Sequence, residues 1–363
     1  MKRISIAGKA QTVLGLIDAE DLGVTLPHEH LLIDLPMFFP MQEPTAASER
    51  ALAHQPVSLE NLYWVTYNLE KNLDNQRLLD ESTAVNEALS YRLAGGNTIV
   101  DLTNVGMGRD PLALRRIALA TGLNIIMGCG YYVSEAYPAD IDMDRKTEND
   151  IAEEIVRDLT VGVSNSGVCA GIIGEIGCTW PLVDNERKVL RGAALAQRRT
   201  GAPLNIHPGR HPSAPFEIIE ILRNSGADIS RTVISHVERT IRDAGNRHEL
   251  AKTGCYIEYD LFGWEGYYPI GRVDIPNDAY RINELADLIA QGHVNQLLVS
   301  QDICYKTRLR RYGGHGYAHI IDNVVPLMRD KGIPEEHIHT ITVENPKHML
   351  QFAKLDTPPL KNN

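Results

Sequence analysis

Apolar, β-branched runs bounded by Gly, Pro or Asn recur along the whole chain, over residues 22–26, 97–103, 123–128, 169–176, 203–207, 232–236, 255–260 and 296–302. Such runs predict strands buried on both faces, as in a parallel sheet. Between them, apolar positions return at helical spacing. Residues 78–93 carry Leu78, Val85, Leu89 and Leu93, and 151–161, 186–199, 216–224, 283–290 and 319–328 follow the same rule. Strand and helix in alternation predict a (β/α)8 barrel. An open doubly wound sheet would need a G-x-G-x-x-G turn after its first strand, and Gly106-Met-Gly108, followed by Arg-Asp-Pro, does not supply one.

Two stretches break the rhythm: 36–56, with Pro40 and Pro44 inside, after the first run, and 305–317, rich in Arg and Gly, after the last. Long loops at the carboxyl ends of barrel strands are where active-site rims form. Residues 1–363 are expected to form one barrel, with 356–363, which contains Pro358-Pro359, as a peripheral tail.

Composition narrows the function classes. Hydrophobic residues are 43% and charged residues 23%, as expected for a globular enzyme. The net charge of −11 disfavours nucleic acid, which needs a basic face. It also means that an anionic substrate needs a local cationic pocket. Five cysteines without C-x-x-C spacing predict reduced, buried thiols in a cytoplasmic protein. The amino-terminal residues have no apolar stretch, so no signal sequence is expected, and no window suits a membrane span.

The chemistry-bearing residues fall in one consistent place. His28 and His30, as H-x-H on an extended strand, point to the same side. Reading the other runs to their carboxyl ends gives Glu175, His207, His236 and Asp302. All would stand at the same end of the barrel, and imidazole and carboxylate together suit a divalent transition metal.

H-x-H on strand one, an acidic residue on strand four, His on five and six and Asp on eight resemble the pattern of the amidohydrolase superfamily. The chain resembles its phosphotriesterase branch, and more closely the phosphotriesterase-related (parathion-hydrolase-related) group along nearly its whole length. The stretches that carry the likeness are Gln11-Thr-Val-Leu-Gly-Leu16, Gly171-Ile-Ile-Gly-Glu-Ile-Gly-Cys178, His207-Pro-Gly-Arg210, Tyr256-Ile-Glu-Tyr-Asp-Leu-Phe-Gly263, Lys306-Thr-Arg-Leu309 and Tyr312-Gly-Gly-His-Gly-Tyr317. In place of the carbamylated lysine of the phosphotriesterases proper stands Glu175, as in the related group. The resemblance implies two divalent cations, Zn2+ or else Mn2+ or Co2+. His28, His30 and Asp302 would hold one, His207 and His236 the other, with Glu175 between them. It implies hydrolysis by metal-activated water, Asp302 acting as general acid and base, and a homodimer.

The group is associated with cleavage of N-acyl taurines, so the leading expectation is an amidohydrolase acting on small N-acyl amino-sulfonates such as N-acetyltaurine. A lactonase or phosphotriesterase is the alternative, and a non-catalytic metal-containing binding protein a remote one. A sulfonate calls for guanidinium, for which Arg210 and Arg308 are the candidates. Tyr131, Tyr132, Trp180, Phe262 and Tyr305 are expected to line the pocket, and His315 to orient substrate from the rim. Asp260 ranks first, ahead of Glu258 and Glu238, as a carboxylate orienting a metal-bound histidine.

Overall fold

The structure, a computed structural model, describes residues 6–39, 43–44, 46–269 and 271–355. The expected tail, 356–363, lies outside the described residues. Eight parallel strands form the central sheet: β1 (Thr25–Glu29), β2 (Thr98–Asp101), β3 (Asn124–Cys129), β4 (Ile172–Gly177), β5 (Leu204–His207), β6 (Thr232–Ile234), β7 (Tyr256–Tyr259) and β8 (Leu297–Val299). Their spatial order is the chain order, β1 to β8. The first and last strands meet through hydrogen bonds from the Asp302 N–H and the Ser300 hydroxyl to the His28 carbonyl, 3.1 and 2.8 Å. The chain is therefore a (β/α)8 barrel, as the alternation of patterns predicts.

The doubly apolar strands divide their side chains between two cores. Ile99, Ile125, Ile173, Ile234 and Leu297 face the surrounding helices. Their neighbours Val100, Ile126, Ile172, Val233 and Leu298 point inward, the period-two alternation of a strand. Inside, they pack with Tyr256, with Ala10 of the amino-terminal hairpin (Lys9–Thr12 and Gly15–Asp18) and with Met349 and Leu350. These seal the amino-terminal end of the barrel, leaving the other end for chemistry.

Eight principal helices cover the barrel: α1 (Glu81–Leu93), α2 (Pro111–Thr121), α3 (Glu148–Thr160), α4 (Asp184–Thr200), α5 (Ala214–Asn224), α6 (Ala244–Ala251), α7 (Asp278–Ala290) and α8 (Val325–Asp330). Of these, α2 and α6 go beyond the six helical stretches read from periodicity. In α2 the signal lay in the caps: Asp110 accepts from the Ala113 N–H (2.9 Å), Pro111 occupies the first turn, and Gly122 closes the helix at φ 68°.

The stretch after β1 is less irregular than its prolines suggest. Residues 40–42 and 45 lie outside the described residues. The remainder of that excursion, up to residue 78, includes a 3-10 turn (Pro36–Phe38) and helices Ala47–Ala53 and Leu62–Val65. Phe39, Ala53, Val57, Trp64 and Val65 give it a small core of its own.

Candidate active site

The carboxyl ends of the strands carry the polar side chains, and three of those positions have backbone reasons to be there. His236 and Asp302 have left-handed backbone, at φ 54° and 48°, which non-glycine residues adopt only where the surroundings hold them. His236 is held by its N–H donating to Asp260, at 3.1 and 3.2 Å to the two oxygens. Asp302 is held by its N–H to the His28 carbonyl. Gly174, before Glu175, has φ 133°, and a Cβ there would fall 2.4 Å from the Asn205 carbonyl oxygen. The absence of a side chain lets β4 press against β5.

Six side chains converge in two sets of candidate donor atoms, His28 with His30 and Asp302, and Glu175 with His207 and His236. In the first, His30 Nε2 lies 3.2 Å and His28 Nε2 3.8 Å from Asp302 Oδ1. In the second, His236 Nε2 is 2.9 Å from both Glu175 Oε1 and His207 Nδ1, and His207 Nδ1 also meets Glu175 Oε1. Glu175 joins the sets, with Oε1 toward His207 and His236 and Oε2 3.9 Å from His30 Nε2.

The outer ring nitrogens are held from behind. His30 Nδ1 pairs with the Thr103 hydroxyl at 2.9 Å, and His236 Nδ1 with Asp260 at 2.7 Å. His28 Nδ1 lies 3.1 Å from both Glu258 and Asp260. Asp260 stands behind two imidazoles and, not lining the cavity, is no substrate contact. Glu258 shares the task and is itself fixed by Asn205 (3.0 Å) and Ser235 (2.8 Å). Glu238 departs from expectation: it takes the Leu261 N–H (2.8 Å) and Arg281 Nε (3.1 Å), so it braces the loop after β7 instead of a histidine.

This donor set fits divalent cations. His28 Nε2 is fully buried and has no hydrogen-bond partner among the described residues, and a buried polar nitrogen left orphaned costs about 1–3 kcal/mol. A cation would satisfy it. Burial alone would raise the pKa of Glu175, yet the imidazoles of His207 and His28 override it and hold this carboxyl well below the usual range. Burial lowers His207 to about 3. Burial also works against His236, but Asp260 outweighs it and brings that ring to about 9.

A cavity of about 400 Å³ opens over the two sets. Of the expected pocket residues, Tyr132, Trp180, Arg210 and Tyr305 line it, beside His30, Glu175, His207 and Asp302. Others do not. Arg308 is buried behind the wall, Nη2 donating to the carbonyls of Phe262 (2.8 Å) and Gln301 (3.2 Å), so it is no anion partner. Neither is His315 at the rim; it stacks on His319 at 4.1 Å. Tyr131 turns to Glu154 and Tyr137, and Phe262 packs in the main core.

Sequence reading missed Glu70 and Arg239, both of which line the cavity. Glu70 arrives on the excursion after β1, with no pattern to announce it. Arg239 sits three residues beyond His236, in the short helix Val237–Thr240, and that spacing was the available signal. Glu29, which strand alternation turns away from its histidine neighbours, staples β8 to β1. It accepts from the Ser300 hydroxyl (2.8 Å) and from the N–H groups of Gln301 and Ile303 (2.9 Å each), on either side of Asp302.

Comparison with known proteins places this geometry in context. The model of the phosphotriesterase family matches residues 8–350. An N-acetyltaurine hydrolase of Tetraodon nigroviridis is 43% identical over 351 residues, which cover 96% of this chain and 99% of that one. Among solved structures, a resiniferatoxin-binding protein of Rhodobacter sphaeroides superposes with a TM-score of 0.91 at 34% identity, covering 95% of each chain. A lactonase of Listeria monocytogenes superposes with a TM-score of 0.78 at 25% identity, covering 95% of this chain and all of that one.

Proposed function

Because the chain belongs to the phosphotriesterase family, we propose that it is a metal-dependent amidohydrolase acting on small N-acyl amino-sulfonates, N-acetyltaurine foremost. The observation that carries the reading is the meeting of the converged donor sets and a guanidinium in one cavity, with no salt bridge to that guanidinium among the described residues. Arg210 lines that cavity with its guanidinium 4.9 Å over the Tyr268 ring, free to meet an oxyanion. The full-length likeness to an N-acetyltaurine hydrolase supports the choice of amide and sulfonate.

His28, His30 and Asp302 would hold one divalent cation and His207 and His236 a second, with Glu175 shared; Zn2+ suits the nitrogen and oxygen donors. Bound there, the ions would acidify water and polarise the scissile carbonyl. The chain's own groups do the rest. Asp302, 9% exposed and facing the cavity, takes the proton from the attacking water and delivers it to the departing amine. Tyr132 and Tyr305 wall the cavity and limit the water beside the reacting bond.

A lactonase activity is the second reading, favoured by the likeness to the Listeria lactonase. Assay of the Zn2+-loaded protein on N-acetyltaurine, N-acetyl amino acids, γ-lactones and paraoxon separates the two. N-acetyltaurine is expected to give the highest kcat/KM. Best turnover on lactones, unaffected by Arg210→Ala, would overturn the substrate assignment.

A further inference from the structure

The two cavity guanidiniums differ in kind. Arg210 is exposed on the rim side, against Tyr268. Arg239 lies deep beside His207 and is only 5% exposed. Arg247 pairs with Glu284 (2.9 Å), Arg281 with Glu238 (3.1 Å) and Arg109 with Asp158 (3.0 Å), and Arg308, without a carboxylate partner among the described residues, donates to two backbone carbonyls. Among the described residues Arg239 has a single hydrogen bond, from Nη2 to His207 Nε2 at 3.3 Å. Its Nη1 is buried without a partner. A guanidinium withdrawn from water is destabilising where no carboxylate bonds it, and this one, with Asp260 and Asp302 acting on it only from beyond salt-bridge distance among the described residues, lines the cavity. A cation on His207 Nδ1 would also keep that ring's proton on Nε2, removing the one acceptor Arg239 has.

We propose that Arg239 is the inner anion-binding, specificity-determining residue of the cavity, taking the sulfonate of a short N-acyl amine while Arg210 closes on the same group from the mouth. The inference rests on the hydrolase reading above. Position sets the length selected. Arg239 is separated from the Glu175–His207–His236 set by one imidazole ring and one hydrogen bond. A sulfonate held there sits close to the set, which favours a short spacer to the amide, as in taurine.

The test compares Zn2+-loaded wild type with Arg239→Gln and Arg239→Lys at matched metal content. Two readouts are taken: the ratio of kcat/KM for N-acetyltaurine to that for neutral N-acetylethanolamine, and calorimetric binding of ethanesulfonate. The ratio is expected to fall about 100-fold in Arg239→Gln, the weight of a lost charge-assisted hydrogen-bond pair, and to recover partly in Arg239→Lys. Ethanesulfonate binding should vanish in Arg239→Gln. If both substrates lose equally and ethanesulfonate still binds, Arg239 merely positions His207, and the proposal is wrong. Turnover of N-acetyltaurine with an unchanged ratio sinks the anion site alone. Arg239-dependent ethanesulfonate binding without N-acetyltaurine turnover sinks the substrate reading and leaves the anion site standing.

Discussion

A carboxylate facing a guanidinium is ordinarily ionised near neutrality, yet burial pushes the Glu70 pKa up to about 7, with Arg210 and the Tyr305 hydroxyl pulling it back. Glu70 is therefore neutral in the folded protein below about pH 7 and gains its charge above it. That charge appears beside Arg210 and competes with an anionic substrate. The KM for N-acetyltaurine is expected to rise about fivefold between pH 6 and 8, the effect of roughly 1 kcal/mol of charge interaction. Glu70→Gln should flatten the rise; a KM equally pH-dependent in the variant would remove Glu70 from the cause. Asp302→Asn keeps the shape and loses the base, so kcat should drop about 10²–10⁴-fold, measured at matched metal content. The six converging side chains were legible because strand ends are marked by the runs themselves. Glu70 was not, because nothing in a charged residue's neighbours reveals that it is buried, and Arg239 was announced only by its spacing from His236.

At the scale of elements, the strands were read through their doubly apolar character, and their last residues through the polar positions that follow. Bounds slipped where tertiary contacts override propensity. The first run was placed at 22–26, whereas β1 is Thr25–Glu29; β6 and β8 stop before His236 and Asp302 because those residues turn left-handed. Helices α2 and α6 escaped a search for period alone, and α2 would have been found by its caps. The Gly174 contact belongs to this scale. Gly174→Ala should destabilise the protein by about 2–4 kcal/mol, since a side chain must fit both a disfavoured φ and a 2.4 Å approach to β5. A lowered urea midpoint with unchanged slope is the expected result. An unshifted midpoint would mean that β4 and β5 can part without cost.

Taken whole, the molecule sets its donor sets between a polar layer of Asn205, Ser235, Glu258 and Ser300 and the open cavity. Removal of metal by a chelator should abolish turnover and lower the melting temperature, because ions bind the folded chain and not the unfolded one. Zn2+ should restore both. Bicarbonate should have no effect on reconstitution, since Glu175 supplies a carboxylate without CO₂; bicarbonate-dependent recovery would contradict the shared role of Glu175.

The sequence by itself determined the barrel and the end at which its chemistry sits, because strand periodicity and chain order are local properties that survive translation into space. It also placed Arg210 on the turn after β5. Only the tertiary structure decided which arginines line the cavity. Arg308 and Arg239 look alike in the chain, but one spends its Nη2 on two backbone carbonyls behind the cavity wall, and the other lines the cavity with a single bond to His207 among the described residues. That difference comes from which groups surround a side chain after folding, and those groups lie far away in sequence.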